Sequence, residues 1–170
     1  RWQDEELWRS VGKDHYNMLS QLAAAHGLAA EGQTMLEWGP GGGANLVTFA
    51  KHYAKCFTVD ISQPNLLECN RRLEAEGIEP ATPVHINPDR PESVKDQINQ
   101  PLDLFLCTAV YQHMPSRNYG LTINQLAFDL LAPGGLALIQ TRYDDGRKMF
   151  KPKNHSYKDN VTYFTSYSIE

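Results

Sequence analysis

Residues 35–60 read MLEWGPGGGANLVTFAKHYAKCFTVD, and this stretch decides the fold. Its start completes TMLEW (34–38), a short apolar run with the length and composition of a buried strand. A glycine turn follows. Gly39 permits the tight exit from the strand, Gly41 removes a Cβ where a ligand would approach the backbone, and Gly43 lets the next helix pack near the sheet. Residues 44–53 then place Leu46, Val47, Phe49 and Ala50 on one helical face. CFTVD (56–60) is β-branched and aromatic, as a second strand should be. It ends on Asp60, 21 positions after Gly39, where a carboxylate can accept from both hydroxyls of a ribose. This order of elements describes a nucleotide-binding α/β unit, with the free N–H groups of a helix start turned to the ligand.

The alternation continues outward. Residues 63–76 read as a helix closed by Gly77, and TPVHI (82–86) as a third strand. PESVKDQI (91–98) is a short helix with Pro91 in its first turn. LDLFLCTAV (102–110) is apolar nearly throughout, the mark of a central parallel strand. Residues 116–131 form a helix capped by Ser116 and ended by APGG (132–135), before a fifth strand, LALIQT (136–141). The fold expected is α/β, a doubly wound and mainly parallel sheet with helices on both faces. Ligands then bind at the carboxyl ends of the strands, at loops 38–44, 60–64, 87–90, 108–115 and from 141 onward. Residues 4–27 form a helix, with Leu7, Trp8, Val11, Tyr16, Met18, Leu19 and Leu22 at helical spacing. FTSYSIE (164–170) reads as the opening of a further helix. The expected division is an N-terminal helical cap (1–33), an α/β core (34–141) and a substrate-side segment (142–170).

Bulk properties narrow the class. The chain has 170 residues, 41% apolar and 21% charged, which suits one globular domain with a continuous core. Its net charge of −4 argues against a nucleic-acid partner held by a basic surface. Residues 142–158 run the other way, with six Lys/Arg against two Asp. Cys56, Cys69 and Cys107 are odd in number and lack C-x-x-C spacing, pointing to a reducing, cytoplasmic setting. No His/Cys/Asp cluster has metal-ligand spacing, so no metal dependence is expected. No apolar run approaches a membrane span, and RWQDEELW is no signal peptide.

The glycine turn alone is ambiguous. Gly39, Gly41 and Ala44 also satisfy G-x-G-x-x-A, so Asp60 would hold the ribose of NAD in an oxidoreductase. A non-catalytic cofactor-binding module is the other alternative. Glu37 speaks against NAD: an acid two residues before Gly39 suits a ligand ammonium group and repels a pyrophosphate. A Tyr-x-x-x-Lys pair, which would support such an oxidoreductase, does not occur.

EWGPGGG (37–43), Asp60, DLFLCTAVYQHMP (103–115) and LAPGG (131–135), taken in order, resemble the class I S-adenosylmethionine-dependent methyltransferase family. The resemblance covers about residues 30–142. It implies S-adenosyl-L-methionine as cofactor and a transferase of EC 2.1.1 class. Gly39, Gly41 and Gly43 would border the methionine part with Glu37 at its amine, Asp60 would bind the ribose, and Ile61 would pack on the adenine. Asn87 and Asp89 would reach the adenine amino group or form a plain N-P-D turn. Thr108, Ala109 and Val110 would lie near the reactive methyl. Tyr16 or Trp8 would either cover the cofactor or pack in the core. His113 would act as general base, hydrogen-bond its own loop, or pack beside Tyr111. Tyr111, Arg142, Tyr143, Arg147 and Lys148 would meet the acceptor, the arginines through a carboxylate or phosphate. The Asn-Pro-Pro-Tyr of amino methyltransferases is replaced by CTAV, which favours a small-molecule or glycan-type acceptor with an oxygen or nitrogen nucleophile. The family sheet closes with an antiparallel sixth and seventh strand, for which this chain leaves no room.

Overall fold

A computed structural model describes residues 4–147 and 164–168. The Asp4 carboxylate accepts from the Glu6 and Leu7 N–H groups and so starts α1 (Glu5–Ala25). There follow β1 (Gly32–Trp38), α2 (Leu46–Phe49), β2 (Tyr53–Asp60), α3 (Gln63–Ala75) and β3 (Thr82–His85). After a 3-10 segment (Pro91–Asp96) come β4 (Leu102–Cys107), a 3-10 turn (Tyr111–His113), α4 (Arg117–Leu130) and β5 (Leu131–Ile139). The five strands lie in the order β3-β2-β1-β4-β5, and every pair is parallel. The chain therefore steps outward from β1 to β3, then returns to the other side of β1. The loops after β1 and β4 diverge there and open a crevice.

Strand alternation sorts the interior into two layers. Leu36 and Trp38 pack with Phe57, Val59, Phe105 and the α4 residues Ile123 and Leu126. Met35 packs on the other face with Leu104, Leu106, Trp8 and Leu19 of α1, and Leu73 of α3. Glu37 shares the Met35 face by this alternation.

Several boundaries differ from expectation for local reasons. The helix expected over 44–53 shrinks to α2, because Gly41 and Gly43 adopt φ of +52° and +82° and hold the preceding residues in turns. β2 in turn begins at Tyr53 rather than Cys56. β4 stops at Cys107 rather than 110, since Ala109 turns to a φ of +58°. Residues 91–96 are 3-10 rather than α-helical. LAPGG is not a separate turn: it is the start of β5, with the positive φ of Gly134 and a register shift against Leu102 and Leu104 absorbing the irregularity. Residues 164–168 do not begin a helix; Tyr167 instead makes an isolated parallel bridge to Tyr143. On α1 the buried stripe is Trp8, Gly12, Leu19 and Ala23, whereas Leu7, Met18 and Leu22 face outward. Lys148 and most of the basic stretch lie outside the described residues. Among the described residues no helix is long and apolar enough to cross a membrane.

Candidate functional site

A cavity of about 290 Å³ opens at the carboxyl ends of the strands. Gly39 and Gly41 form one side, Asp60 and Ile61 a second, and Val110 and His113 a third. Trp38 and Val59, partners in the β1–β2 register, close the base, and Asn65 and Tyr119 complete the wall. Of the residues singled out from the sequence, Gly39, Gly41, Asp60, Ile61 and His113 thus meet around one space.

Asp60 is oriented by its own turn. The Ser62 N–H donates to Oδ1 at 2.8 Å, and the Asn65 amide to Oδ2 at 3.1 Å. Each oxygen keeps lone-pair capacity for a further donor. Ile61, 40% exposed, presents an apolar side chain on the rim. Among the described residues, nothing beyond its chain neighbours lies within 4 Å of a Cβ built on Gly41, so this part of the turn is open. Gly43 is packed instead: its Cβ would stand 3.0 Å from Cys69 Sγ.

Glu37 does not line the cavity; it is buried on β1, two residues before Gly39. Its Oε1 accepts from Asn45 Nδ2 at 2.7 Å, and its Oε2 has no hydrogen-bond partner among the described residues. Burial raises the Glu37 carboxyl to about 7, with the Asn45 hydrogen bond opposing the rise. Thr108, at the end of β4, accepts the second Asn45 amide hydrogen at 2.8 Å. The Asn45 Oδ1 lies 2.8 Å from His15 Nδ1 on α1.

Other expected residues stand elsewhere. Tyr16 stacks on His52 (centroids 3.9 Å) and meets Phe49 edge-on. His52 precedes β2, so Tyr16 packs at the amino end of the sheet, away from the cavity. Trp8 is in the core under Arg72. Asn87 Oδ1 accepts from the Asp89 N–H at 2.9 Å, making the plain N-P-D turn, and neither side chain lines the cavity. Tyr111 is buried, with its hydroxyl on Asn124 Oδ1, and is part of the core rather than of the cavity wall. Arg142 lies over the Phe164 ring at 4.6 Å, Tyr143 is exposed, and Arg147 pairs with Asp145 at 2.6 Å. Ala109 donates its N–H to Gln140 Oε1. His113 Nε2 lies 3.2 Å from Gln112 Nε2, and its ring tilts against Phe164 at 5.3 Å.

Asn45, Asn65 and Tyr119 were not anticipated. Asn65 carries a usable signal, since a helix starting just after the acid places its first turn over that carboxylate. Asn45 carries little, because two of its three partners stand 30 and 63 positions away.

The model of a methyltransferase domain matches residues 36–137, more than half of the chain. Among solved structures, an S-adenosylmethionine-dependent methyltransferase from Clostridium acetobutylicum shares 16% identity at a TM-score of 0.65, covering 77% of this chain and 51% of its own. A Geobacter sulfurreducens methyltransferase in complex with S-adenosyl-L-homocysteine shares 24% identity at 0.55, covering 76% and 50%. N-methyltransferase NodS from Bradyrhizobium japonicum, in complex with the same compound, shares 16% at 0.62, covering 78% and 62%. The chain thus spans only part of these relatives' length, from 50% to 62%. No curated protein matches in sequence. The glycine turn, the ordered loops, the parallel sheet and the matched model lead to one conclusion: the chain belongs to the methyltransferase domain family, with the class I, Rossmann-like fold.

Proposed function

We propose that this domain binds S-adenosylmethionine and directs methyl transfer to an oxygen or nitrogen of a small-molecule or glycan-type acceptor. One observation carries the cofactor assignment. Glu37 is buried on β1, two residues before Gly39, and among the described residues one of its carboxylate oxygens lacks a partner. An orphaned buried carboxylate oxygen is costly unless a cationic donor reaches it. The α-ammonium group of S-adenosylmethionine is such a donor, whereas the pyrophosphate of NAD would add a second negative charge. The donor set therefore fits this cofactor.

Within that reading, Asp60 receives the ribose hydroxyls and Ile61 covers one face of the adenine. Gly41 lets the amino-acid end approach the backbone. When bound, the cofactor supplies an activated methyl on a sulfonium that is already a good leaving group. The chain must then align the acceptor, exclude water and, for an oxygen nucleophile, take up its proton. His113 lines the cavity wall, which supports giving it the last task. Arg142 and Arg147 follow β5 at the same end of the sheet, and we assign them to an anionic acceptor group that competes for their present contacts. The three free, buried cysteines accord with a reducing, cytoplasmic setting.

Differential thermal stabilisation tests the assignment. S-adenosylmethionine and S-adenosylhomocysteine should raise the melting temperature, and NAD should not. Stabilisation by NAD alone would transfer the site to an oxidoreductase, and stabilisation by none of the three would remove the cofactor reading.

A further inference from the structure

We infer that His15, on the N-terminal helix, is a positioning residue for the amino-acid end of the cofactor, acting through Asn45 on Glu37. The inference rests on the cofactor reading above and extends it to a residue outside the cavity wall.

Hydrogen-bond capacity fixes the role of each atom in the network. Asn45 Nδ2 has two hydrogens, and both are used: one on Glu37 Oε1 at 2.7 Å, the other on Thr108 Oγ1 at 2.8 Å. Its Oδ1 can then only accept. The atom 2.8 Å away is His15 Nδ1, which must carry a hydrogen to complete the contact. With Glu37 ionised, as an ammonium ligand requires, turning the amide over would set Oδ1 against a carboxylate oxygen and leave two acceptors facing each other. His15 opposes that rotation, because its N–H would then face an amide NH2. With the carboxylate ionised the network therefore has one self-consistent arrangement, and it spends Glu37 Oε1 while leaving Oε2 without a partner among the described residues. Without the His15 donor, Asn45 keeps only its contacts to Glu37 and Thr108, and the N–H that opposes its rotation is gone, which loosens the setting of Glu37.

The backbone holds His15 in place. α1 crosses the glycine-turn segment at Gly12, where a Cβ would lie 2.4 Å from Ala44 O and 2.8 Å from Thr48 Oγ1. His15 stands one helical turn beyond that crossing, on the adjoining strip of the helix, so the close approach at Gly12 sets its reach to Asn45. Asn45 itself is 5% exposed, and Glu37 is 1% exposed. These polar groups satisfy one another in a dry environment, where a lost partner matters most.

The test compares two ligands by calorimetric titration of the whole chain. S-adenosylhomocysteine carries the amino-acid end; 5′-methylthioadenosine lacks it. His15→Ala should weaken S-adenosylhomocysteine about tenfold, the scale of one lost buried hydrogen bond, and leave 5′-methylthioadenosine within about twofold. His15→Asn places an N–H where Nδ1 stood and should restore the affinity; His15→Gln, which mimics the other ring nitrogen, should not. Equal losses for both ligands, or none for either, overturn the positioning role. If the unaltered chain binds neither ligand, the cofactor reading itself falls. A second readout needs no ligand: the Asn45 side-chain amide hydrogens should exchange slowly with solvent in the parent and faster in His15→Ala. Unchanged exchange counts against the inference whatever the titrations show.

Discussion

Gly12 of α1 lies against the backbone of Ala44, so closely that a methyl group at position 12 would stand 2.4 Å from the Ala44 carbonyl oxygen. Replacing this mid-helix glycine by alanine gains about 1 kcal/mol of helix propensity. Overpacking against fixed backbone costs about 1–3 kcal/mol, and more where nothing flexible can yield. The clash should win. Gly12→Ala is expected to lose about 1–2 kcal/mol net, lowering the melting temperature by about 2–4 °C per kcal/mol. Thermal unfolding of the pair of proteins decides it, and a more stable variant would contradict the packing described.

Glu37 should give the ligand-free protein an unusual pH dependence. Its carboxyl is lifted from 4.5 to about 7 by burial. The folded state therefore holds a proton that the unfolded state releases, and stability contributed by this group is full below about 4.5. It falls as pH rises toward 7 and is flat above. The span corresponds to roughly 3 kcal/mol as an order of magnitude. Glu37→Gln removes the titration, so the difference between parent and variant in denaturant unfolding should grow in favour of the variant from pH 5 to pH 8. Binding has the opposite sign. A cationic amine prefers the ionised carboxylate, so affinity for S-adenosylhomocysteine should rise with pH up to about 7 in the parent and lose that slope in the variant. A difference in stability that stays constant across the range would show that Glu37 is ionised throughout.

The legibility of the chain follows the range of the forces involved. The β1 strand, the glycine turn and Asp60 could be read because each depends on neighbours within a few residues: apolar runs, positive φ at glycine, an acid at a strand end. The Asn45 network could not, since it joins α1, β1 and β4 through contacts 8 to 63 positions apart. Tyr16 shows a subtler limit. Helical spacing shows that it points inward, but not at which end of the sheet it packs. Leu7, Met18 and Leu22 fit helical spacing as well as Trp8 and Leu19 do, yet α1 turns its Gly12 stripe to the sheet because only there can backbones approach closely. LAPGG carries strong turn residues, but pairing with β4 extends it and leaves a register shift in place of a turn.

Two glycines of the turn should separate stability from binding. Both Gly41 and Gly43 have positive φ, so alanine at either costs about 1–2 kcal/mol of backbone strain. Gly43→Ala adds a contact 3.0 Å from Cys69 Sγ. Gly41→Ala meets nothing within 4 Å and instead projects into the space a ligand would use. Gly43→Ala is therefore expected to be the less stable protein, and Gly41→Ala the weaker binder of S-adenosylhomocysteine relative to its stability loss. Melting curves with and without the ligand give both quantities, and equal ligand-induced shifts in the two variants would remove Gly41 from the site.

His113 can be tested by separating binding from turnover. It lines the cavity beside Val110 and Tyr119, and its ring is steadied by Phe164 and Gln112. A general base contributes about 10²–10⁴-fold to a rate and nothing to the affinity of a cofactor it does not touch. His113→Gln keeps a polar side chain of similar reach but cannot take up a proton near neutral pH. Once a methylated acceptor is in hand, kcat should fall at least about 100-fold in this variant while S-adenosylhomocysteine binding holds. The acidic limb of the parent's pH–rate profile, where the base becomes protonated, should vanish with it. A variant that keeps the limb and loses only KM assigns His113 to acceptor packing against Phe164, and proton removal must then fall to solvent or to another group on the cavity wall.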